Sequence, residues 1–570
     1  MTTARPVLLE DNMFDSPLSD PPALPDDTVR VIPLGGLGDV GRNMTAFEIN
    51  GEILLVDAGV LFPEEEHPGV DLILPCFDVI ADRIDDVVGL VLTHGHEDHI
   101  GAVPYLLKTR GDIEVIGSRL TLAFLDPKLR EHRIGSPRLT QVCEGERIRV
   151  GTQFDVEFVA VNHSIPDALA LFIRTSGGTI LHTGDFKMDQ LPLDHRLTDL
   201  RAFARFGEEG VDLFMADSTN AEVPGFTTGE LEVEPAMRRV FEQAPGKIVV
   251  ACFASHVHRV QQVLNQAEIH GRVVVYVGRS MVRNMGIARD LGYLHVPGST
   301  LADISDVDAI PENKLVIICT GSQGEPLSAL ARMANQNHPS IHIGPSDTVL
   351  LASSLIPGNE NAVYRVINGL MKLGATVIHK ANALVHVSGH ACSGELLYCY
   401  NLIQPRNAMP VHGEPRHLIA NGKLAAATGV ENVLTVDDGT VVDLHDHQAR
   451  VVGKVDASYI LVDGGSVGSV SEESLADRRI LGSEGFITVI AVVSEATGVV
   501  SVDIQARGFL DDDGIFTDVE PQIRENLDVA LAEGISDTYL LQQVIRRTVG
   551  RWVATTLRSR PMILPIVIHT

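Results

Sequence analysis

Apolar and polar positions alternate through the first part of the chain. From residue 29, "VRVIPLGG" and "MTAFEINGEILLVDAG" read as half-buried strands, with Asn50-Gly51 as a tight hairpin turn. "LALFIRTSGGTILHTGD" repeats the arrangement around turn residues Ser176 to Gly178. Strand-rich segments with few helices between them predict two packed sheets covered by helices. Beyond about residue 226 the texture changes. "KIVVACFA", "RVVVYVG", "KLVIICTG" and "DTVLLASS" are short apolar runs, each followed by a helix-length segment such as "HVHRVQQVLNQAEIH", the alternation of a parallel sheet. Past 455, "VDGGSVGSVSEES" reads as a linker. The remainder offers strands in "GFITVIAVVSE" and "VVSVDIQARGF", a helix in "DTYLLQQVIRRTVGRWVATTLR" and a last strand, a small α+β domain.

At 570 residues the chain is too long for one core. The changes of texture divide it into a disordered acidic tail (1–28), a first core segment (29–225), the βαβ block (226–385), a second core segment (386–458), a linker (459–475) and the C-terminal domain (476–570). The formal charge of −30 excludes a surface that attracts polyanions everywhere, so a nucleic-acid partner requires positive charge gathered in a groove. Six cysteines form no C-x-x-C pair, which fits a reducing cytoplasm, and they read as buried small apolar residues. The start lacks the basic end and apolar stretch of a signal peptide, and no apolar run reaches membrane-spanning length.

"VLTHGHEDHIGAVP", residues 91–104, places His94, His96, Asp98 and His99 after the strand "VVGLVLT" and before an apolar segment read as a helix. Imidazole and carboxylate are ligands that zinc and manganese accept, and a strand-to-helix loop aims alternate side chains at one point. A polar loop that merely happens to be rich in histidine is the plain alternative. Four ligand-type residues spaced H-x-H-x-D-H weigh against it. Two divalent ions close together can present hydroxide near neutral pH and clamp both oxygens of an in-line displacement at phosphorus, which makes a phosphodiester the natural substrate. The glycine-rich "CTGSQGEP" and "PLGGLGDVGRN" lack the lysine of a phosphate-binding loop and read as loops near the active site rather than nucleotide sites.

The His/Asp segment resembles the signature of the metallo-β-lactamase superfamily. Asp57 in "LLVDAG", His163 in "VNHSIPDA" and Asp185 in "HTGDFK" match its later positions in order. The resemblance implies one metal on His94, His96 and His163, a second on Asp98 and His99, Asp185 between them, and Asp57 orienting the ligand loop. The βαβ block resembles the β-CASP insertion of nucleic-acid-cleaving members, with Asp217 in "LFMADSTN", His390 in "HVSGHA" and His412 in "MPVHGE". The implied fold class is α/β: a metallo-β-lactamase αββα sandwich with an inserted β-CASP βαβ domain and a small C-terminal α+β domain.

Together with "GRNMT", "HVSGHACSGEL", "IPGNE" and "MPVHGEPRHL", these segments resemble the ribonuclease J family. The resemblance implies two divalent ions per subunit, zinc first and manganese as the alternative, with His412 completing the second site. It assigns Asp217 to orienting a histidine or ligand. His390 is expected to contact the scissile phosphate. His386, Ser388 and Gly389 are expected to cradle a 5′-monophosphate, and Ser353, Ser354 and Asn359 to line the same channel. Arg279, Arg283, Arg289, Arg416 and His417 are candidates for gripping RNA phosphates, and Phe62 for stacking a base; solvated helix faces and core packing are the competing readings. The implied activity is 5′-to-3′ exonuclease on 5′-monophosphate RNA with endonucleolytic cutting, in RNA maturation and mRNA decay. The implied partners are RNA, other RNA-decay proteins and a homodimer or homotetramer through the C-terminal domain. A DNA nuclease, another two-metal hydrolase such as a thioesterase, and a non-catalytic RNA-binding subunit are the alternatives; the last requires lost ligands, and none is missing.

Overall fold

A computed structural model describes residues 19–64, 66–325, 327–355, 359–494, 497–508 and 513–570. Most of the expected tail, 1–18, and residues 356–358 of "IPGNE" lie outside the described residues. Two compact units form: Met1–Phe62 with Ile73–Ile460, and Pro63–Leu72 with Leu461–Thr570.

Two sheets build the heart of the larger unit. Among the described residues, the first has eight strands in the order Gln448–Lys454, Thr440–His445, Val29–Gly35, Met44–Ile49, Glu52–Val56, Val87–Val91, Glu114–Gly117 and Arg138–Gln141. The second has seven: Asn432–Val433, Asn407–Val411, Leu213–Asp217, Gly178–His182, Leu169–Thr175, Phe154–Ala160 and Arg147–Val150. Both hairpins read from the sequence are present, with Ile49 opposite Glu52 and Thr175 opposite Gly178. Asn50 and Gly51 take φ of 47° and 85°, the left-handed pair that a two-residue hairpin turn requires. Alternate residues point inward, so Val31, Phe47, Leu54 and Val91 of one sheet bury against Phe158, Leu171, Met215 and Met409 of the other. The outer face of the second sheet is covered by helices Leu200–Glu209, Ser393–Ile403 and Pro415–Ala427, where Phe203, Phe206, Leu396 and Tyr400 meet Phe172 and Phe214.

Between Leu213–Asp217 and Asn407–Val411 the chain inserts a six-stranded sheet, Leu301–Ala302, Val273–Val277, Leu315–Cys319, Ile248–Ala251, Thr348–Leu351 and Thr376–Ile378, parallel throughout. Its central strands are apolar along their whole length because helices cover both faces.

The smaller unit carries a sheet ordered Gly498–Arg507, Phe486–Ser494 and Met562–His569. Every second residue of Phe486–Ser494 faces helices Glu520–Ala532 and Thr538–Thr556, burying Val489, Ala491 and Val493 against Leu527, Ile545 and Trp552. Among the described residues no helix is long and apolar enough to cross a membrane.

Four local readings change. The Gly/Ser-rich "linker" pairs with itself, Val462 opposite Val467 and Asp463 opposite Ser466, and Ser471 then caps helix Glu472–Glu484. The helix after the histidine cluster begins earlier than read, at Glu97, so Asp98 and His99 sit in its first turn. Cys143 is exposed, whereas the other five cysteines are buried. Residues 19–28 of the expected tail are engaged: Ser19 accepts from the Lys454 backbone N–H at 3.2 Å and Pro22 from Arg30 at 2.9 Å.

Candidate metal centre

The candidate ligands leave the two sheets at one end. Asp57 follows Glu52–Val56, His94 follows Val87–Val91, Asp185 follows Gly178–His182, and His412 follows Asn407–Val411, strands that each run parallel to at least one neighbour there. Side chains far apart in the sequence thus meet where carboxyl ends of parallel strands open into loops.

Asp57 organises the first loop. It holds a left-handed backbone, φ 59°, and its carboxylate accepts the Thr93 backbone N–H and hydroxyl, each at 2.8 Å, and faces His99 Nδ1 at 2.8 Å. A carboxylate at Nδ1 places a ring proton there and turns Nε2 toward Asp185 at 3.3 Å, Asp98 at 3.5 Å and the Asn43 amide nitrogen at 3.2 Å. Burial opposes charge on this ring, but Asp185, Asp98 and Asp57 raise it well above the usual imidazole range, so a metal at Nε2 would take the place of a second proton. Gly59 lets the helix start come this close, because a Cβ there would lie 1.6 Å from the Asp98 carbonyl oxygen.

His94 Nε2, His96 Nδ1 and His163 Nε2 converge, with both outer atoms 3.1 Å from the His96 nitrogen. Nitrogens around one tetrahedral zinc stand about 3.3 Å apart, so the spacing fits a shared cation. The His163 ring is fixed from behind by its Nδ1 contact to the Gly389 carbonyl at 2.8 Å. Asp185 Oδ2 lies 3.7 Å from His94, 3.7 Å from His163 and 3.5 Å from His412, facing both groups of ligands. Asp185 Oδ1 and His412 Nε2 are buried with no hydrogen-bond partner, an arrangement that a cation satisfies and an apolar core does not. His94, His96, His163 and Asp185 form one ligand group, and Asp98, His99, Asp185 and His412 a second.

Burial drives His94 and His163 well below the usual imidazole range and His96 down to about 4, keeping them in the neutral form that binds metal. Burial works against the Asp185 carboxylate, yet the imidazoles of His412 and His99 hold it well below the ordinary carboxyl range. The donor set, its spacing and its unpartnered atoms therefore fit divalent metal.

Asp217 and His390 flank this centre. Asp217 Oδ2 lies 2.8 Å from His390 Nδ1, while its other oxygen accepts the Thr219 backbone N–H at 2.9 Å and hydroxyl at 2.8 Å. Burial opposes charge on His390, but Asp217 and then Asp185 raise it to about 9. Its ring stacks on that of His412 at 5.6 Å.

The other predicted residues scatter more widely. Ser388 accepts from Asn220 at 2.7 Å, and Gly389 abuts His163. His386 is buried, its ring 5.8 Å from His256, and burial followed by the Arg259 charge lowers it well below the imidazole range. Ser354 supplies its carbonyl to Gln323 at 2.7 Å. Phe62 is exposed, as is Arg279, which has no ion-pair partner among the described residues. Arg283 pairs with Glu131, Arg289 with Asp290, and Arg416 with Glu222 and Glu414.

Asn43, which no ligand motif singled out, also reaches the centre. The loop "PLGGLGDVGRN" brings its amide between His412 Nδ1, accepted by Oδ1 at 2.7 Å, and the Asp98 carbonyl, to which Nδ2 donates at 3.0 Å. Its place at the end of a glycine-rich loop was the available signal; a Cβ on Gly36 would lie 2.3 Å from Asn43 Oδ1.

Four family models match the chain. They are described as "Beta-lactamase superfamily domain" over residues 53–249, "Ribonuclease J, beta-CASP domain" over 245–370, "Zn-dependent metallo-hydrolase RNA specificity domain" over 374–435, and "Ribonuclease J C-terminal domain" over 473–570. A solved Enterococcus faecalis protein of unknown function superposes with a TM-score of 0.51 at 17% identity, over 73% of this chain and 100% of that one, which shows the shared fold alone. Ribonuclease J of Thermus thermophilus is 41% identical over 96% of both chains. Ribonuclease J of Mycolicibacterium smegmatis is 50% identical over 97% of this chain and 99% of its own. With both ligand groups in place, two ribonuclease J domain models matched and half the residues shared along almost the whole length, the chain belongs to the ribonuclease J family.

Proposed function

We propose that the chain is a metal-dependent ribonuclease that cleaves RNA phosphodiesters. The observation that carries the proposal is the convergence of two ligand groups on the single carboxylate of Asp185. His94, His96 and His163 would hold one divalent ion, and Asp98, His99 and His412 the other, with Asp185 shared. Zinc is the first candidate and manganese the second, since the nitrogen and oxygen donors take both. When bound, such ions supply Lewis acidity, polarising the phosphoryl group and acidifying a water.

The chain's own side chains do the positioning. Asp57 fixes the His99 tautomer, Asn43 fixes that of His412, and Asp217 aims His390, which contacts the scissile phosphate and stabilises charge developing there. The finer activity we infer is 5′-to-3′ removal of nucleotides from 5′-monophosphate RNA, together with endonucleolytic cuts, in RNA maturation and decay in the cytoplasm. Residues 386–390 and Ser354 supply the polar groups for a 5′ phosphate, with Arg279 contacting the RNA backbone and Phe62 stacking a base. The similarity to relatives named ribonuclease J supports RNA as the substrate. Assembly as a homodimer or homotetramer through the C-terminal unit belongs to the same proposal.

End-labelled RNA carrying a 5′-monophosphate or a 5′-triphosphate, with a DNA control, tests the reading. Preferential cleavage of the monophosphate RNA is expected. Activity on DNA alone, or preference for the triphosphate, would refute it.

A further inference from the structure

Glu395 is completely buried, and among the described residues no lysine or arginine pairs with it. It is the third residue of helix Ser393–Ile403, where it accepts the Cys392 backbone N–H at 2.8 Å, the local half of a capping box. Capping accounts for one donor. The others come from remote segments: Oε1 accepts the Met188 N–H at 2.7 Å, and Oε2 accepts the Thr227 N–H at 2.8 Å and the Thr227 hydroxyl at 2.6 Å. A buried carboxylate without a cation persists only where such donors replace its water, so these contacts tie three stretches of chain to one point.

Those stretches frame the centre. Met188 lies three residues beyond Asp185, and Cys392 two beyond His390. The Thr227 hydroxyl also stands 2.8 Å from the His390 carbonyl. It has a single proton, which the carboxylate attracts more strongly. Asn220 then serves the His390 carbonyl at 3.0 Å and the Ser388 hydroxyl at 2.7 Å. The carboxylate thus joins the segment that presents the shared metal ligand to the segment that presents the phosphate-facing histidine.

We propose that Glu395 is a positioning residue that sets the placement of His390 relative to Asp185, acting through Thr227 and the Met188 and Cys392 amides. The inference rests on the ribonuclease reading above. Glu395→Gln preserves shape but turns an NH2 group toward at least one of the backbone donors, so the three segments separate. Thr227→Val removes the hydroxyl and keeps the backbone N–H.

The test measures steady-state cleavage of 5′-monophosphate RNA, bound metal per chain, and hydrogen exchange at peptides containing Met188 and Thr227. For Glu395→Gln we expect kcat to fall about tenfold to a hundredfold, with KM within about threefold of wild type, metal content unchanged and faster exchange at those peptides. Thr227→Val should fall in the same direction, and Thr227→Ser should recover most of that loss. Unchanged kcat per folded, metal-loaded chain overturns the proposal, as does a loss confined to folded or metal-loaded fraction, which marks a purely structural cap. If Glu395→Gln does not fold, the Thr227 pair decides by the same criteria. A wild-type chain that cleaves no RNA overturns the ribonuclease reading and this inference together, whereas an active wild type with unaffected variants overturns this inference alone.

Discussion

Replacing Asp57 by Asn isolates one charge in the metal centre. Asn tolerates the left-handed backbone at this position, φ 59°, so the substitution leaves the turn intact, as Ala would not. Asp57 now accepts from three donors: the Thr93 N–H, the Thr93 hydroxyl and His99 Nδ1. With the Asn oxygen kept on the Thr93 amide, the new NH2 group faces both other partners. The Thr93 hydroxyl can turn and accept, but His99 Nδ1 cannot remain a donor. The ring must move its proton to Nε2, the atom 3.3 Å from Asp185, and so loses the lone pair a metal needs. Loss of such an orienting carboxylate costs about 10–100-fold in metal affinity or activity, equivalent to about 1.4–2.7 kcal/mol. The loss should fall on the site of Asp98, His99 and His412. His94 still meets the Thr93 oxygen at 3.1 Å, so its site should bind near normally. Titration of the metal-free protein against a competing chelator resolves the two affinities, and RNA cleavage is followed in parallel. Two unchanged affinities, or equal weakening at both sites, would refute the tautomer argument.

Two further outcomes follow from the geometry. In Gly389→Ala the new Cβ meets the buried His163 ring at 2.7 Å. Gly389 does not hold a left-handed φ, so the effect is steric; we expect about a 10–100-fold loss of metal affinity at the His94, His96 and His163 site, and a normal titration there contradicts it. Asp438 is buried beside Arg42 at 2.9 Å, and burial, only partly offset by Arg42, raises its carboxyl from 3.8 to about 7. The folded state therefore holds this proton more tightly than the unfolded chain, and the stability tied to it is full below pH 3.8 and lost as pH rises through about 7. Asp438→Asn, which retains an acceptor for the Leu37 N–H, should gain up to about 4 kcal/mol on wild type between pH 4 and pH 8. Urea unfolding of both proteins across that range measures it, and a pH-independent difference is the contrary result.

The cluster of candidate ligands was legible because its signal is local. Four donor residues within six positions, then single aspartates and histidines at strand ends, need only a sheet edge to be gathered. Asn43, Thr93 and Glu395 were not legible, because each acts on partners brought close by folding: Asn43 meets His412 across 369 positions and Glu395 meets Met188 across 207. His386 was legible only by its position four residues from His390; its neighbour His256, with ring centroids 5.8 Å apart, is brought to it by folding. The parallel insertion was plain because strands covered on both faces are continuously apolar. The "linker" was misread because its Gly464, φ 56°, and Gly468, φ 71°, serve turns rather than flexibility. The start of the ligand-bearing helix was hidden because Glu97, Asp98 and His99 put polar groups where a buried helix face is expected.

If the carboxylate of Asp185 gathers two divalent ions for RNA cleavage, activity depends on both ions and on that carboxylate. The purified protein is stripped of metal, zinc or manganese is returned in counted equivalents, and cleavage of 5′-monophosphate RNA by wild type and Asp185→Asn is followed. We predict that cleavage disappears with the metal, returns as the second equivalent binds to wild type, and stays at least about a hundredfold lower in the variant at any metal level. Cleavage that survives complete removal of metal, or an Asp185→Asn chain restored to wild-type rate, would rule out a two-metal role for Asp185.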